Sequence, residues 1–181
     1  MKQIFFLVFF LQACIDVSAQ VFDEWFLDKT LRLDYTFSGD NRSQYIYLDE
    51  MKCSENWYGR RVNLDSLLLQ GNGQLCMKDS KSGVVLYKHS FSTLFQEWQT
   101  TEEAANVQKS FENVFLVPFP KNPVDITITL IDTHNNVKGL LTHHVDPKDI
   151  LIRPVVADEN IKWKYLRKAG DCKNKIKLVH H

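Results

Sequence analysis

Leu31, Leu33, Tyr35 and Phe37 alternate with Arg32, Asp34 and Thr36. Successive side chains of a β-strand point to opposite faces. A run with this period therefore covers a core with one face and meets water with the other. The same period returns where Val124, Ile126, Ile128 and Leu130 alternate with Asp125, Thr127 and Thr129. Other apolar runs are QYIYLDEM from Gln44, LDSLLL from Leu64, QLCMK from Gln74, VVLYKHSF from Val84, NVFLVPF from Asn113, GLLTHHV from Gly139 and DILIRPV from Asp149. Turn-forming clusters separate most of them: SGDN, QGNGQ, SKSG, PKNP and THNN. About eight or nine short strands punctuated in this way predict an all-β chain, folded as an antiparallel β-sandwich of immunoglobulin-like or jelly-roll type. One short helix is expected, over TTEEAANVQ, with Thr100 or Thr101 as its cap and Glu102 and Glu103 near its positive end. Pro118, Pro120 and Pro123 mark the end of one strand and the approach to the next, where ladder donors are dispensable.

The first nineteen residues read as a leader rather than as fold. Lys2 precedes the apolar run from Ile4 to Leu11, which is too short to span a bilayer. Val17, Ser18 and Ala19 then offer small residues to a signal peptidase, which places cleavage between Ala19 and Gln20. A second reading stands beside it: Leu11 to Cys14 has the form of a lipobox, with Cys14 as the lipidated first residue. Only that reading implies a membrane anchor. Either way the mature protein is expected outside the cytoplasm, secreted, periplasmic or at the cell surface. Removing the leader leaves Cys53, Cys76 and Cys172. In an oxidising compartment Cys53 and Cys76 can bridge neighbouring strands, and the alternative is three free thiols.

The chain divides into residues 1–19 as leader, 20–160 as sandwich and 161–181 as a basic linker. Its formal net charge is zero, but residues 20–161 hold 14 basic and 20 acidic side chains. Seven basic residues from Lys162 to Lys177 stand against Asp171 alone. A neutral whole argues against nucleic acid as the partner, since phosphate binding draws on a basic surplus.

Signals for catalysis are sparse. The sequence has no His-Glu-x-x-His zinc motif, no Gly-x-Ser-x-Gly elbow and no phosphate-cradling glycine loop. His143 and His144 are adjacent, so in a strand they face opposite ways and cannot share one metal. His144 and Asp146 fall on one face and are expected to be able to hydrogen-bond, as surface strand residues. His180 and His181 hold at most a loose metal, and SGDNR lacks the ligand count of a calcium loop. No catalytic, cofactor or metal residue is therefore assigned. Trp25, Trp57, Trp98 and Trp163 are expected mostly in the core, where aromatic side chains dominate the buried area. Any left exposed can anchor a protein partner or stack on a sugar.

Four long blocks carry a resemblance: Phe22 to Asp40, Ser90 to Ala104, Ser110 to Asp132 and His144 to Arg153. Together they resemble the N-terminal domain of the IgA-peptidase family of zinc metallopeptidases, secreted enzymes of gut bacteria of the Bacteroides kind. The resemblance implies a β-sandwich followed by a zincin catalytic domain that carries the zinc. Tyr165 to Val179 resembles the crossing between the two, with Ile176, Leu178 and Val179 as the start of the catalytic domain's first strand. No zinc ligand or general-base glutamate of the family carries over onto this sequence. The expectation is a non-catalytic accessory domain of a truncated or split peptidase, without a cofactor of its own. Its partner would be a peptidase catalytic domain. The alternative is a free-standing module that binds host glycoprotein or glycan.

Overall fold

The structure is a computed structural model and describes residues 21–67, 69–132 and 136–155. A one-turn helix, α1 (Phe22–Trp25), leads into the first of the eight strands among the described residues. These are β1 (Phe26–Gly39), β2 (Gln44–Glu55), β3 (Gly73–Asp79), β4 (Val85–Phe91), β5 (Lys109–Pro120), β6 (Val124–Ile131), β7 (Val137–Val145) and β8 (Ile152–Pro154). A second short helix, α2 (Leu94–Trp98), and a 3-10 turn, Glu103–Ala105, lie between β4 and β5. The strands form two four-stranded sheets, in the orders β5-β1-β2-β8 and β4-β3-β6-β7, hereafter sheets A and B. The all-β sandwich expected from the sequence is the fold observed. One ladder departs from it, because β8 runs parallel to β2. The chain crosses from sheet B to sheet A after β7, and a crossover can lay a strand parallel to its new neighbour.

The period of two in the sequence becomes the inside and outside of the sandwich. Leu31, Leu33, Tyr35 and Phe37 of β1 are completely buried, as are Val124, Ile126, Ile128 and Leu130 of β6. A bulge falls where Asp34 pairs with Glu50 but Tyr35 with Leu48. It leaves Asp49 over to accept a 2.6 Å hydrogen bond from the Thr36 hydroxyl. The middle of the core is aromatic. The Phe115 ring centroid lies 5.8 Å from Tyr35, 6.3 Å from Phe37 and 4.5 Å from Phe91, in the tilted arrangements that ring quadrupoles favour.

Sheet edges are managed in different ways. Pro118 and Pro120 sit on the edge strand β5, where a missing N–H leaves no ladder bond unmade. Along β4 the Lys88 N–H donates to the Leu64 carbonyl at 2.8 Å, so a loop segment covers that edge. Arg60 fixes this loop by donating to the carbonyls of Asn63, Leu64, Ser66 and Lys88, with its guanidinium over the Tyr87 ring. Leu64 is buried beneath it while Leu69 is exposed. Leu64 to Leu67 are thus edge cover rather than a strand.

The helix expected over TTEEAANVQ is reduced to the Glu103–Ala105 3-10 turn, and Glu102, not a threonine, precedes it. The Thr100 and Thr101 hydroxyls donate back to the carbonyls of Glu97 and Trp98, so they finish the preceding helix instead of starting a new one. The genuine cap is Thr93, whose hydroxyl accepts from Gln96 N–H at 3.2 Å at the start of α2. Cys53 and Cys76 are both free: Cys53 lies in β2 of sheet A and Cys76 in β3 of sheet B, so their strands are not neighbours. Trp57 is buried, whereas Trp25 and Trp98 are half-buried against the core. Cys14, Ala19, Gln20, Trp163, Cys172, Ile176, Leu178 and Val179 lie outside the described residues.

Candidate functional site

The adjacent histidines face opposite ways, as their strand dictates. His143 points inward from β7, and its Nε2 lies 2.6 Å from the Tyr35 hydroxyl on the opposite sheet. Its other ring nitrogen, Nδ1, is buried without a hydrogen-bond partner. Burial favours the neutral imidazole and holds its pKa below the ordinary histidine value. The Tyr35 phenol is pushed upward by burial as well, so the pair is neutral in the working pH range. His143 is therefore a bridge between the sheets.

His144 does lie on the outer face, but Asp146 is not its partner. The β6–β7 register sets Asp125 opposite His144, and His144 Nδ1 meets Asp125 Oδ1 at 2.9 Å and the Ser80 hydroxyl at 3.2 Å. The His144 bond holds the Asp125 carboxyl below its ordinary pKa. Asp146 lies past the end of β7 and accepts the Lys148 N–H at 2.9 Å, closing a turn. Cross-strand neighbours are closer than residues two apart on one strand, which is why the partner changed. Among the described residues no three His, Cys, Asp or Glu side chains are placed to hold a metal.

A second feature was not singled out from the sequence. At one end of the sandwich lies a cleft of about 570 Å³. Five carboxamides line it: Asn41, Gln44, Asn72, Gln96 and Gln99. Arg42, Lys138 and Asp132 supply its charges, Thr100 a hydroxyl and Ile131 its aliphatic carbon. Two loops and α2 form its walls, and Gln44 rises from the inward face of β2. Near the cleft several of the last inward positions of the strands are small or polar. In sheet A, Gln44 pairs with Gly39, and Gly39 with Lys109. In sheet B, Gly73 and Gly139 flank Leu130. Gly39 has φ +136°, a backbone that side chains avoid, and a Cβ on Gly73 would sit 2.1 Å from the Phe91 ring.

The amides are held in place by one another and by backbone. Gln44 Nε2 donates to Gln99 Oε1 at 2.9 Å, and Gln99 Nε2 donates to the Asp40 carbonyl at 2.6 Å. Gln96 Nε2 donates to the Asn72 carbonyl at 2.8 Å. Asp40 anchors the wall: its Oδ1 accepts the N–H groups of Arg42 and Ser43 at 2.8 Å each, which lowers its pKa to about 2. Gln44 Oε1 is buried and accepts no hydrogen bond. The sequence did carry one signal of this site. Gln44 is in phase with the core residues Ile46 and Leu48, so a polar group stands where alternation predicts an apolar one.

A family model for the N-terminus of peptidase M64 matches residues 21–142, about two thirds of the chain. The chain belongs to the peptidase M64 (IgA peptidase) family, and the part it matches is that family's N-terminal domain. No curated protein matches it.

Proposed function

We propose that this protein is an exported, non-catalytic accessory domain of an M64-type peptidase. The observation that carries this reading is the match of residues 21–142 to the N-terminal domain of the family. The employment of the histidines supports it: His143 is committed to Tyr35 inside the sandwich and His144 to Asp125 outside it. Catalytic zinc sites use three protein ligands around an open position. The zinc and the general base would belong to a peptidase catalytic domain acting with this one. Export rests on the leader sequence, with cleavage between Ala19 and Gln20, and membrane attachment would follow only from lipidation of Cys14. The test is proteolysis of IgA and casein by the purified protein with zinc added. No cleavage is expected. Chelator-sensitive cleavage that survives repurification would overturn the reading. A second reading, a module that binds host glycoprotein or glycan, is favoured by the amide-lined cleft.

A further inference from the structure

We propose that the cleft at the end of the sandwich binds an acidic glycan, one or two sugar rings deep, with its carboxylate at Arg42. The inference takes the glycan-binding reading further and does not depend on whether the chain cleaves anything.

The chemistry of the lining points to the ligand. Each carboxamide offers both donors and an acceptor, and so does each sugar hydroxyl or acetamido group. Asn41 and Asn72, with the Gln99 amide and Thr100 hydroxyl capacity not used within the wall, can therefore answer a ring that carries several polar groups. A peptide fits less well. Protein recognition centres on aromatic and aliphatic anchors in desolvated pockets, and Ile131 is the aliphatic member of this lining. The volume of about 570 Å³ lies within the range of small-molecule sites.

Charge then narrows the class. Lys138 pairs with Asp132 at 3.4 Å, so those two largely cancel. The remaining charge of the lining is Arg42, which is exposed at the rim. A guanidinium presents a fixed fork of donors that matches a carboxylate. Asp40 holds the backbone beneath it through the N–H groups of Arg42 and Ser43.

The site is also pre-organised. Gln44, Gln96 and Gln99 are held by the bonds described above, so little side-chain entropy is lost when a ligand arrives. The last described residue, Val155, donates its N–H to the Cys53 carbonyl at 2.8 Å. Cys53 is nine residues along β2 from Gln44, about 30 Å at the rise of a strand. Val155 thus lies at the other end of the sandwich from the cleft.

The experiment titrates the isotope-labelled mature chain, from Gln20 to its end, with sialyllactose and with lactose, followed by amide chemical shifts. Sialyllactose is expected to give saturable shifts at Asn41, Gln44, Asn72 and Gln99. Affinity on the order of 1 mM and about tenfold above lactose would suit a single exposed charge contact. Arg42→Gln should abolish the preference for the acidic sugar. Thr100→Val should weaken both sugars. Tyr47→Ser, an exposed position on the outer face of sheet A, should change neither. Equal binding of the two sugars would overturn the acidic assignment. Shifts confined to other residues, loss of binding in Tyr47→Ser, or no saturable shift with the spectrum of a folded protein would overturn the site. None of these outcomes bears on the proteolysis assay, so the two proposals fail separately.

Discussion

The middle of the sandwich and its amide-lined end are made by the same strands and differ in one respect. In the middle, every inward position of β1 and β6 is apolar and the rings of Tyr35, Phe37, Phe91 and Phe115 fill the space between the sheets. One step further along, inward positions include Gln44, Gly39, Gly73 and Gly139, with Leu130 between the last two. The middle gains stability from packing and from apolar area removed from water. The end gives that up: it keeps a polar opening and a buried acceptor, Gln44 Oε1, that nothing satisfies. Places where a stable fold departs from its own pattern are where function is to be sought. The cleft is one such departure, and inward-facing His143, whose Nδ1 is the other buried atom without a partner, is a second.

This contrast can be broken most directly at Phe37. Phe37→Ala removes a completely buried ring that packs on Tyr35, Phe91 and Phe115. It should cost about 3–5 kcal/mol, read from urea denaturation. A cost near that of a surface substitution would mean that the aromatic middle is not the main source of stability.

A smaller effect is expected at the polar bridge across the middle. Tyr35→Phe leaves His143 Nε2 without its partner in a buried setting and should cost about 1–3 kcal/mol. Removing both groups, in Tyr35→Phe with His143→Leu, should cost less than the sum of the two single changes. Additive losses would show that the 2.6 Å contact carries no coupling.

The same bridge predicts a pH response. Burial lowers the pKa of His143 against smaller upward pulls from the His144 backbone and Asp125, and burial together with the Arg60 charge lowers that of His89. In this window the unfolded chain binds protons that the native state refuses, so stability falls as pH drops below about 6.5 and levels off below the native pKa values. The carboxylates Asp40 and Asp79, whose pKa values are lowered by hydrogen bonds, act in a separate window: their contribution is lost below about pH 4. Urea midpoints between pH 7 and 5 measure the first window. His143→Gln should flatten it, and an unchanged slope would remove His143 as its source.

The smallest effect belongs to the amide end. Gln44→Leu removes the orphan acceptor and one donor to Gln99, two changes of opposite sign. Its stability should stay within about 1 kcal/mol of the parent. A loss as large as that of Phe37→Ala would show the amide network to be structural, and the contrast between middle and end would collapse.

Much of this was legible in the residues. Alternation along LRLDYTF and VDITITLID identified the inward faces of β1 and β6, because a strand's side-chain period is fixed whatever it pairs with. The same rule separated His143 from His144. The family was legible in long blocks of sequence, three of which lie within residues 21–142, where the family match bears it out. The partner of His144 was not legible, since Asp125 arrives through the β6–β7 register and not through nearness in sequence. The helix at TTEEAANVQ failed for a related reason: hydroxyls that look like caps were drawn back to the carbonyls of Glu97 and Trp98.

What the sequence by itself determined is local: strand periods and turn positions. Only the tertiary structure decided which groups meet. Asn41, Asn72 and Gln99 are far apart in the chain and come together with Gln44 where the two sheets end. Tyr35 and His143, 108 residues apart, meet across the core. Both outcomes depend on strand order and sheet stacking, which are set by long-range pairing that local alternation leaves undetermined.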